Sequence, residues 1–336
     1  MRAFYHPEQA GHAPLRELHN GAWSDYAETP QRLAAMLEAL GGTEPAGDFG
    51  LDPILAVHDP AYVDFLATAH RDWLAAGRSG DAIGYAFPVV ARRALRLDRI
   101  DAAIGAHAFD AATPIAAGTW AAAYGSAQAA LAAFAAVADA GERRAFAACR
   151  PPGHHAGRDY MGGYCYLNNA AIVARAAATR GLGPVAVLDV DYHHGNGTQD
   201  IFYADPDVLF VSIHADPASD FPYFWGHAEE CGSGAGEGAT LNLPLPRGAD
   251  WDAYCPALAR ACAAVADWGA RFLVVSFGAD TFGGDPISQF RLTTPDYTRM
   301  AAMIAALDLP GVIVMEGGYA VDALGANVAS FLRGFT

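Results

Sequence analysis

Pro184-Val185-Ala186-Val187-Leu188-Asp189-Val190-Asp191-Tyr192-His193-His194-Gly195-Asn196-Gly197 changes character halfway along. It begins as an almost wholly apolar run and ends in acids, imidazoles and glycines. A short apolar run closed by polar residues reads as a strand buried on both faces, the kind found in a parallel sheet covered by helices. The pattern recurs at Phe146–Cys149, Val208–Ile213, Phe272–Phe277 and Val312–Met315. Helical segments are predicted over Leu167–Arg180, Trp251–Gly269, Pro295–Leu307 and Asp322–Leu332, with Pro295 suited to a first turn. The β-α-β-α order predicts an α/β fold, a single domain over 1–336 with a mostly parallel central sheet flanked by helices on both faces.

Upstream the signals are less regular. Pro30–Leu40 and Pro60–Ala76 read as helices. Gly77–Gly118 is mixed and gathers Arg92, Arg93, Arg96 and Arg99. No internal repeat or linker divides the chain. The 336 residues are 53% hydrophobic, enough for a large core, and carry a net charge of −16. That charge repels phosphate backbones, so nucleic acid is not an expected partner. Five cysteines, an odd number with no C-x-x-C pair, point to a reduced, cytoplasmic setting. No apolar signal core opens the chain, and the alanine-rich run Trp120–Ala140 is broken by Tyr124, Gly125, Ser126, Gln128 and Asp139. It reads as a soluble helix, and no stretch of about 20 residues is expected to be apolar enough to span a bilayer, so no membrane association is expected.

In wound sheets, ligands bind beyond the carboxyl ends of the strands. Four predicted strands end in unusual chemistry: Pro151-Pro152-Gly153-His154-His155, Asp191 to Gly197, Gly278-Ala279-Asp280 and Glu316-Gly317-Gly318-Tyr319. Asp189, Asp191 and His193 alternate along one strand end, so their side chains share a side. Asp191 and His193 can therefore aim one carboxylate and one imidazole at a single point. Asp280, at another strand end, is the best third ligand. Two carboxylates and one imidazole leave a coordination position open, as a catalytic zinc requires.

Taken in order, Pro152-Gly153-His154-His155-Ala156, Gly162-Gly163-Tyr164-Cys165-Tyr166-Leu167-Asn168-Asn169, Asp189 to Thr198, Gly278-Ala279-Asp280 and Glu316-Gly317-Gly318-Tyr319 resemble the histone deacetylase superfamily. The resemblance covers most of the chain and is nearest to the bacterial acetylpolyamine amidohydrolases. It implies an arginase-like α/β fold, one catalytic zinc and hydrolysis of acylated amines. On this reading His155 is the general base and His154 an electrostatic partner beside the same water. The resemblance implies that Asp189 orients His154 and Asn196 orients His155. A carboxylate favours imidazolium more than a neutral amide does, so His154 is expected to be the more cationic. The Tyr319 hydroxyl is expected to donate to the oxyanion. Gly163, Tyr164 and Phe221 resemble the walls of a narrow substrate tunnel, with Ile287 at its rim. Structural potassium is implied at Asp189, Asp191, His193, Ser212 and Ile213, and a second ion near Phe202, Asp205 and Val208.

The expected substrate is a small acylated amine such as an acetylpolyamine. Acyl-lysine peptides or other small amides are the alternatives. Gly77–Gly118 resembles the polyamine branch's insertion, which supports a homodimer and narrows the entrance. Its arginines do not favour a polycation, which leaves Glu17, Asp98, Asp101 and Asp110 as candidate acidic contacts. An arginase-type two-metal site is disfavoured because position 282, two after Asp280, is Phe282. A non-catalytic binding protein is disfavoured because every catalytic position is filled.

Overall fold

The computed structural model describes residues 1–19, 21–88 and 97–336. Among them the strands are β1 (Arg2–Tyr5), β2 (Arg16–His19), β3 (Ala22–Asp25), β4 (Glu44–Pro45), β5 (Arg144–Ala147), β6 (Val185–Asp189), β7 (Val208–Ala215), β8 (Thr240–Leu245), β9 (Phe272–Phe277) and β10 (Gly311–Met315). Eight form one sheet in the order β4-β1-β5-β10-β9-β6-β7-β8. All of its pairings are parallel. β2 and β3 form a separate antiparallel hairpin. β5 to β7, β9 and β10 are the strands expected from their apolar runs. β1, β4 and β8 were not. β1 and β4 are only four and two residues long. β8 carries Asn242 and Pro244, and its place at the sheet edge is where a missing N–H is tolerated.

Helices flank the sheet. Thr119–Ala138 packs on β1, β5 and β10, and Asn169–Thr179 on β6 and β9. Trp251–Asp267 covers β6, β7 and β8 and touches Thr294–Ala305, which packs in turn on Val321–Arg333. Phe331 of that last helix stacks on Phe277 of β9, with ring centres 3.8 Å apart. Against the expectation that no stretch is apolar enough to span a bilayer, Thr119–Ala138 is long and apolar enough to cross one. It is 72% buried inside the fold, because the sheet and the neighbouring helix cover its alanine-rich surface.

Parallel register sets the site. Asp189, the last residue of β6, lies abreast of Ser212 on β7 and Ser276 on β9. Met315, the last residue of β10, pairs with Phe277, the last of β9. The residues that follow each strand therefore emerge at one end of the sheet. Within 77–118 the described residues include the helix Ile100–Ala106 and an antiparallel bridge between Ala82 and Ile115.

Candidate active site

The acceptor and donor atoms of Asp191, His193 and Asp280 lie within 4.8 Å of one another. His193 Nδ1 is 3.4 Å from Asp191 Oδ1 and 3.2 Å from Asp280 Oδ2. Backbone N–H groups hold both carboxylates. His193 N–H and Gly317 N–H donate to Asp191 at 2.8 Å each, and Tyr192 N–H donates to Asp280 at 3.0 Å. Burial alone would strip the His193 ring of its proton, yet Asp191 and Asp280 raise it to about 10. Burial would raise Asp191 too, but the charges of His154 and His193 hold it below the usual carboxylate range. Burial and the charge of Asp191 lift Asp280 to about 7. Two buried carboxylates and one imidazole thus converge on a point where they could hold a metal ion. The oxygen and nitrogen donors, with a position left open, fit zinc. A second group of ligand-type atoms, His154, Cys165 and Glu316, lies nearby. Its carboxylate already accepts from Gly153 N–H, His154 N–H and the Ser276 hydroxyl.

His154 and His155 stand with ring centres 4.1 Å apart, but their environments differ. His154 Nδ1 is 3.0 Å from Asp189 Oδ2, and His155 Nδ1 is 2.7 Å from Asn196 Oδ1. Burial opposes the charge on His154, but Asp191 and Asp189 outweigh it and raise the ring to about 10. Burial also opposes charge on His155, and the cationic His154 and His193 add to it, so this ring falls well below the usual histidine value. The neutral amide of Asn196 offers little in return. Two adjacent residues of one type are thereby pushed in opposite directions, the pattern of a paired acid and base.

A cavity of about 550 Å³ opens above these groups. His155, His193 and Tyr319 reach it from the floor, and Tyr164, Phe221 and Ile287 stand on its walls. Tyr319 is 8% exposed, and burial pushes its hydroxyl well above the usual tyrosine value. It therefore stays a donor. Its ring meets Tyr164 edge-on at 5.4 Å. Gly163 lies at φ +52° against the His155 ring, where a Cβ would strike the imidazole. Glu17 from the β2–β3 hairpin and Asp110 from the insertion also line the cavity.

The histidine pair, the three residues that could hold a metal ion and the buried tyrosine thus meet at one cavity. A histone deacetylase domain matches residues 26–335. The chain belongs to the histone deacetylase family. Over 340 residues it is 48% identical to acetylpolyamine amidohydrolase 2 of Pseudomonas aeruginosa, covering 100% of this chain and 98% of that one. It is 46% identical to the acetylpolyamine amidohydrolase of Mycoplana ramosa, covering 99% of each. The crystal structure of an acetylpolyamine aminohydrolase from Burkholderia pseudomallei superposes with a TM-score of 0.95 at 43% identity, covering 100% and 98%. The family's domain makes this protein a hydrolase acting on amide bonds.

Within that family frame, the fold brings together His154, His155, Tyr319, Asp191, His193, Asp280, Asp189 and Asn196 at one end of the sheet. The implied potassium residues fall in two places. Asp189 and Ser212 face each other across β6 and β7, followed by Ile213, beside Asp191 and His193. Phe202, Asp205 and Val208 lie on the turn into β7, where Arg175 binds the Asp205 carboxylate at 2.7 Å. Of the four candidate acidic contacts, Asp101 is engaged by Arg78 and Arg99 at 2.7 and 2.5 Å and is not on the cavity. Asp98 is not on the cavity either. Arg92, Arg93 and Arg96 lie outside the described residues. Sequence reasoning missed Phe109, which stacks on Phe221 at 5.6 Å, and Arg247, which lines the mouth paired to Asp220 at 2.7 Å. Neither sits in a motif. It also missed Arg32 and Asp285. The i,i+4 pair Glu28–Arg32 and the Gly283-Gly284-Asp285 turn were their only signals.

Proposed function

We propose that this protein removes acetyl groups from small acetylated amines, acetylpolyamines foremost, with one zinc ion held by Asp191, His193 and Asp280. Zinc, when bound there, supplies a lowered water pKa and a polarised carbonyl. His155, kept neutral and aimed into the cavity, takes the proton from the attacking water and passes one to the leaving amine. His154, kept cationic by Asp189, adds positive charge beside it. Tyr319 donates from its hydroxyl to the carbonyl oxygen as negative charge develops there. Tyr164 and Phe221 sandwich the alkyl chain and exclude water.

One observation carries the substrate assignment. Glu17 and Asp110 flank the cavity, with Tyr164 OH donating to Glu17 at 3.0 Å, so a chain threaded past the aromatics meets carboxylates suited to an ammonium. The relatives' names point the same way. Acyl-lysine peptides carry a bulky backbone to the same mouth and are the weaker reading. The exposed Trp23, Tyr223 and Phe224 are where we place a second copy of the chain. Five free thiols suit a reducing cytoplasm. Family resemblance with the Asp189–Ser212 register supports structural potassium at the first site. The deciding experiment compares kcat/KM of zinc-loaded protein on N-acetylputrescine, N-acetylcadaverine, acetyl-lysine peptides and longer acyl analogues. A preference for the peptides would overturn the polyamine assignment.

A further inference from the structure

Two buried side chains of opposite charge grip the segment that carries Tyr319. Arg32, fully buried, donates from Nη2 to the Glu316 carbonyl and from Nε to the Gly318 carbonyl, at 2.6 Å each. Its guanidinium lies 4.9 Å from the centre of the Tyr319 ring, and Glu28 anchors it at 2.6 Å. On the other side Asp285, 8% exposed, accepts at Oδ2 from the N–H groups of Tyr319 and Ala320, at 2.6 and 3.2 Å. Its other oxygen accepts from Ile287 N–H at 3.1 Å. Between the two grips Gly318 sits at φ +124°, where a Cβ would come within 2.9 Å of the Ala279 methyl. Neither Arg32 nor Asp285 lines the cavity.

The bond from Asp285 to Ile287 is a local turn that any aspartate could make. The bonds to Tyr319 and Ala320 are different. They cross more than thirty positions of the chain and end on the N–H of the oxyanion donor itself. Bonds from backbone N–H to an ionised carboxylate are stronger and geometrically tighter than neutral ones. We infer that Asp285 is a positioning residue for the reaction, fixing the Tyr319 hydroxyl at the oxyanion by holding its backbone N–H while Arg32 holds the flanking carbonyls. This rests on the reading of Tyr319 as the oxyanion donor. A donor works only within about 2.7–3.1 Å of where the oxyanion forms. Loosening the grip therefore harms the transition state more than substrate binding, and the loss falls on kcat rather than KM. The same carboxylate ties Ile287 on the cavity wall to Tyr319.

The test is a mutant cycle on zinc-loaded protein with N-acetylputrescine: wild type, Asp285→Asn, Tyr319→Phe and the double variant. Asparagine keeps the size but sets an NH2 group against a backbone N–H. Asp285→Asn is expected to lower kcat about 10- to 100-fold, comparable to losing the hydrogen-bond partner behind a metal ligand, with KM within about twofold. In the Tyr319→Phe background it is expected to add little, because both changes remove one interaction. Hydrogen exchange at the Tyr319 and Ala320 amides is expected to quicken in Asp285→Asn. If that variant does not fold, Arg32→Lys replaces it, since lysine keeps the charge beside Glu28 but cannot span both carbonyls. Unchanged kcat, full additivity with Tyr319→Phe, or unchanged exchange at the two amides overturns the inference. Near-normal turnover of Tyr319→Phe overturns the oxyanion reading beneath it, an outcome distinct from a slow Tyr319→Phe beside an unaffected Asp285→Asn.

Discussion

At the floor of the cavity, Asp189, Asp191 and Asp280 are wholly buried, and each carboxylate oxygen meets a backbone N–H or an imidazole nitrogen. At its mouth, His19, Ser24, Asp25 and Tyr223 are exposed, and Arg247 meets Asp220 with its side chain 56% accessible. The floor comes from loops that directly follow parallel strands. The mouth comes from the β2–β3 hairpin, the insertion and the outer parts of the loops after β7, β8 and β9. Charges in the floor act at low dielectric and dominate one another's protonation, whereas charges at the mouth are screened by water and salt. Reaction type is therefore set by the floor, and substrate choice by weaker, adjustable forces above it.

The strongest way to break this division is at the cage. His193→Ala is expected to abolish measurable turnover and to leave dialysed protein without stoichiometric zinc, as read by atomic absorption. Zinc retained at one per chain would remove His193 from the ligand set. Next comes Tyr319→Phe, expected to lose about 10²–10³ in kcat, or about 2.7–4 kcal/mol of transition-state stabilisation, while keeping its metal. The two histidines offer a third check. In metal-free protein, ring-nitrogen NMR is expected to find His154 protonated through pH 8 and His155 neutral at pH 6.5. The reverse order would sink the assignment of base and partner.

Effects at the mouth are expected to be smaller and dependent on pH and salt. Burial raises Glu17 to about 7, so it is neutral below that pH and anionic above it. The anion attracts a cationic substrate. KM for N-acetylputrescine should fall as pH rises from about 6 to 8, by up to roughly tenfold, or about 1.4 kcal/mol. KM for the uncharged N-acetylbutylamine should stay flat, and Glu17→Gln should flatten the first profile. Equal pH dependence for both substrates would take Glu17 out of recognition. Arg247→Ala is expected to have the smallest effect, a modest fall in KM for the cationic substrate that vanishes at about 0.5 M salt. A loss of kcat in that variant would instead place Arg247 with the floor.

The same contrast separates what the sequence by itself determined from what only the tertiary structure decided. Apolar runs of four to seven residues ending in Gly-His-His, Asp-x-His-His, Gly-Ala-Asp and Gly-Gly-Tyr are local signals, and a parallel sheet delivers all such ends to one side. Strand type and the gathering of Asp191, His193, Asp280, His154, His155 and Tyr319 at one end of the sheet were legible for that reason. β1, β4 and β8 were not, being too short or too polar to carry a period. Glu17 and Asp110 could be named as acids but not placed, because the hairpin and the insertion reach the cavity across more than forty residues of chain from any motif. Phe109 behind Phe221 carries no pattern, and Arg32 and Asp285 on either side of Tyr319 carry only an i,i+4 acid and a Gly-Gly turn, which name no role. Their roles come from contacts between residues far apart in the chain, set by how loops pack over the sheet, and no local spacing encodes that.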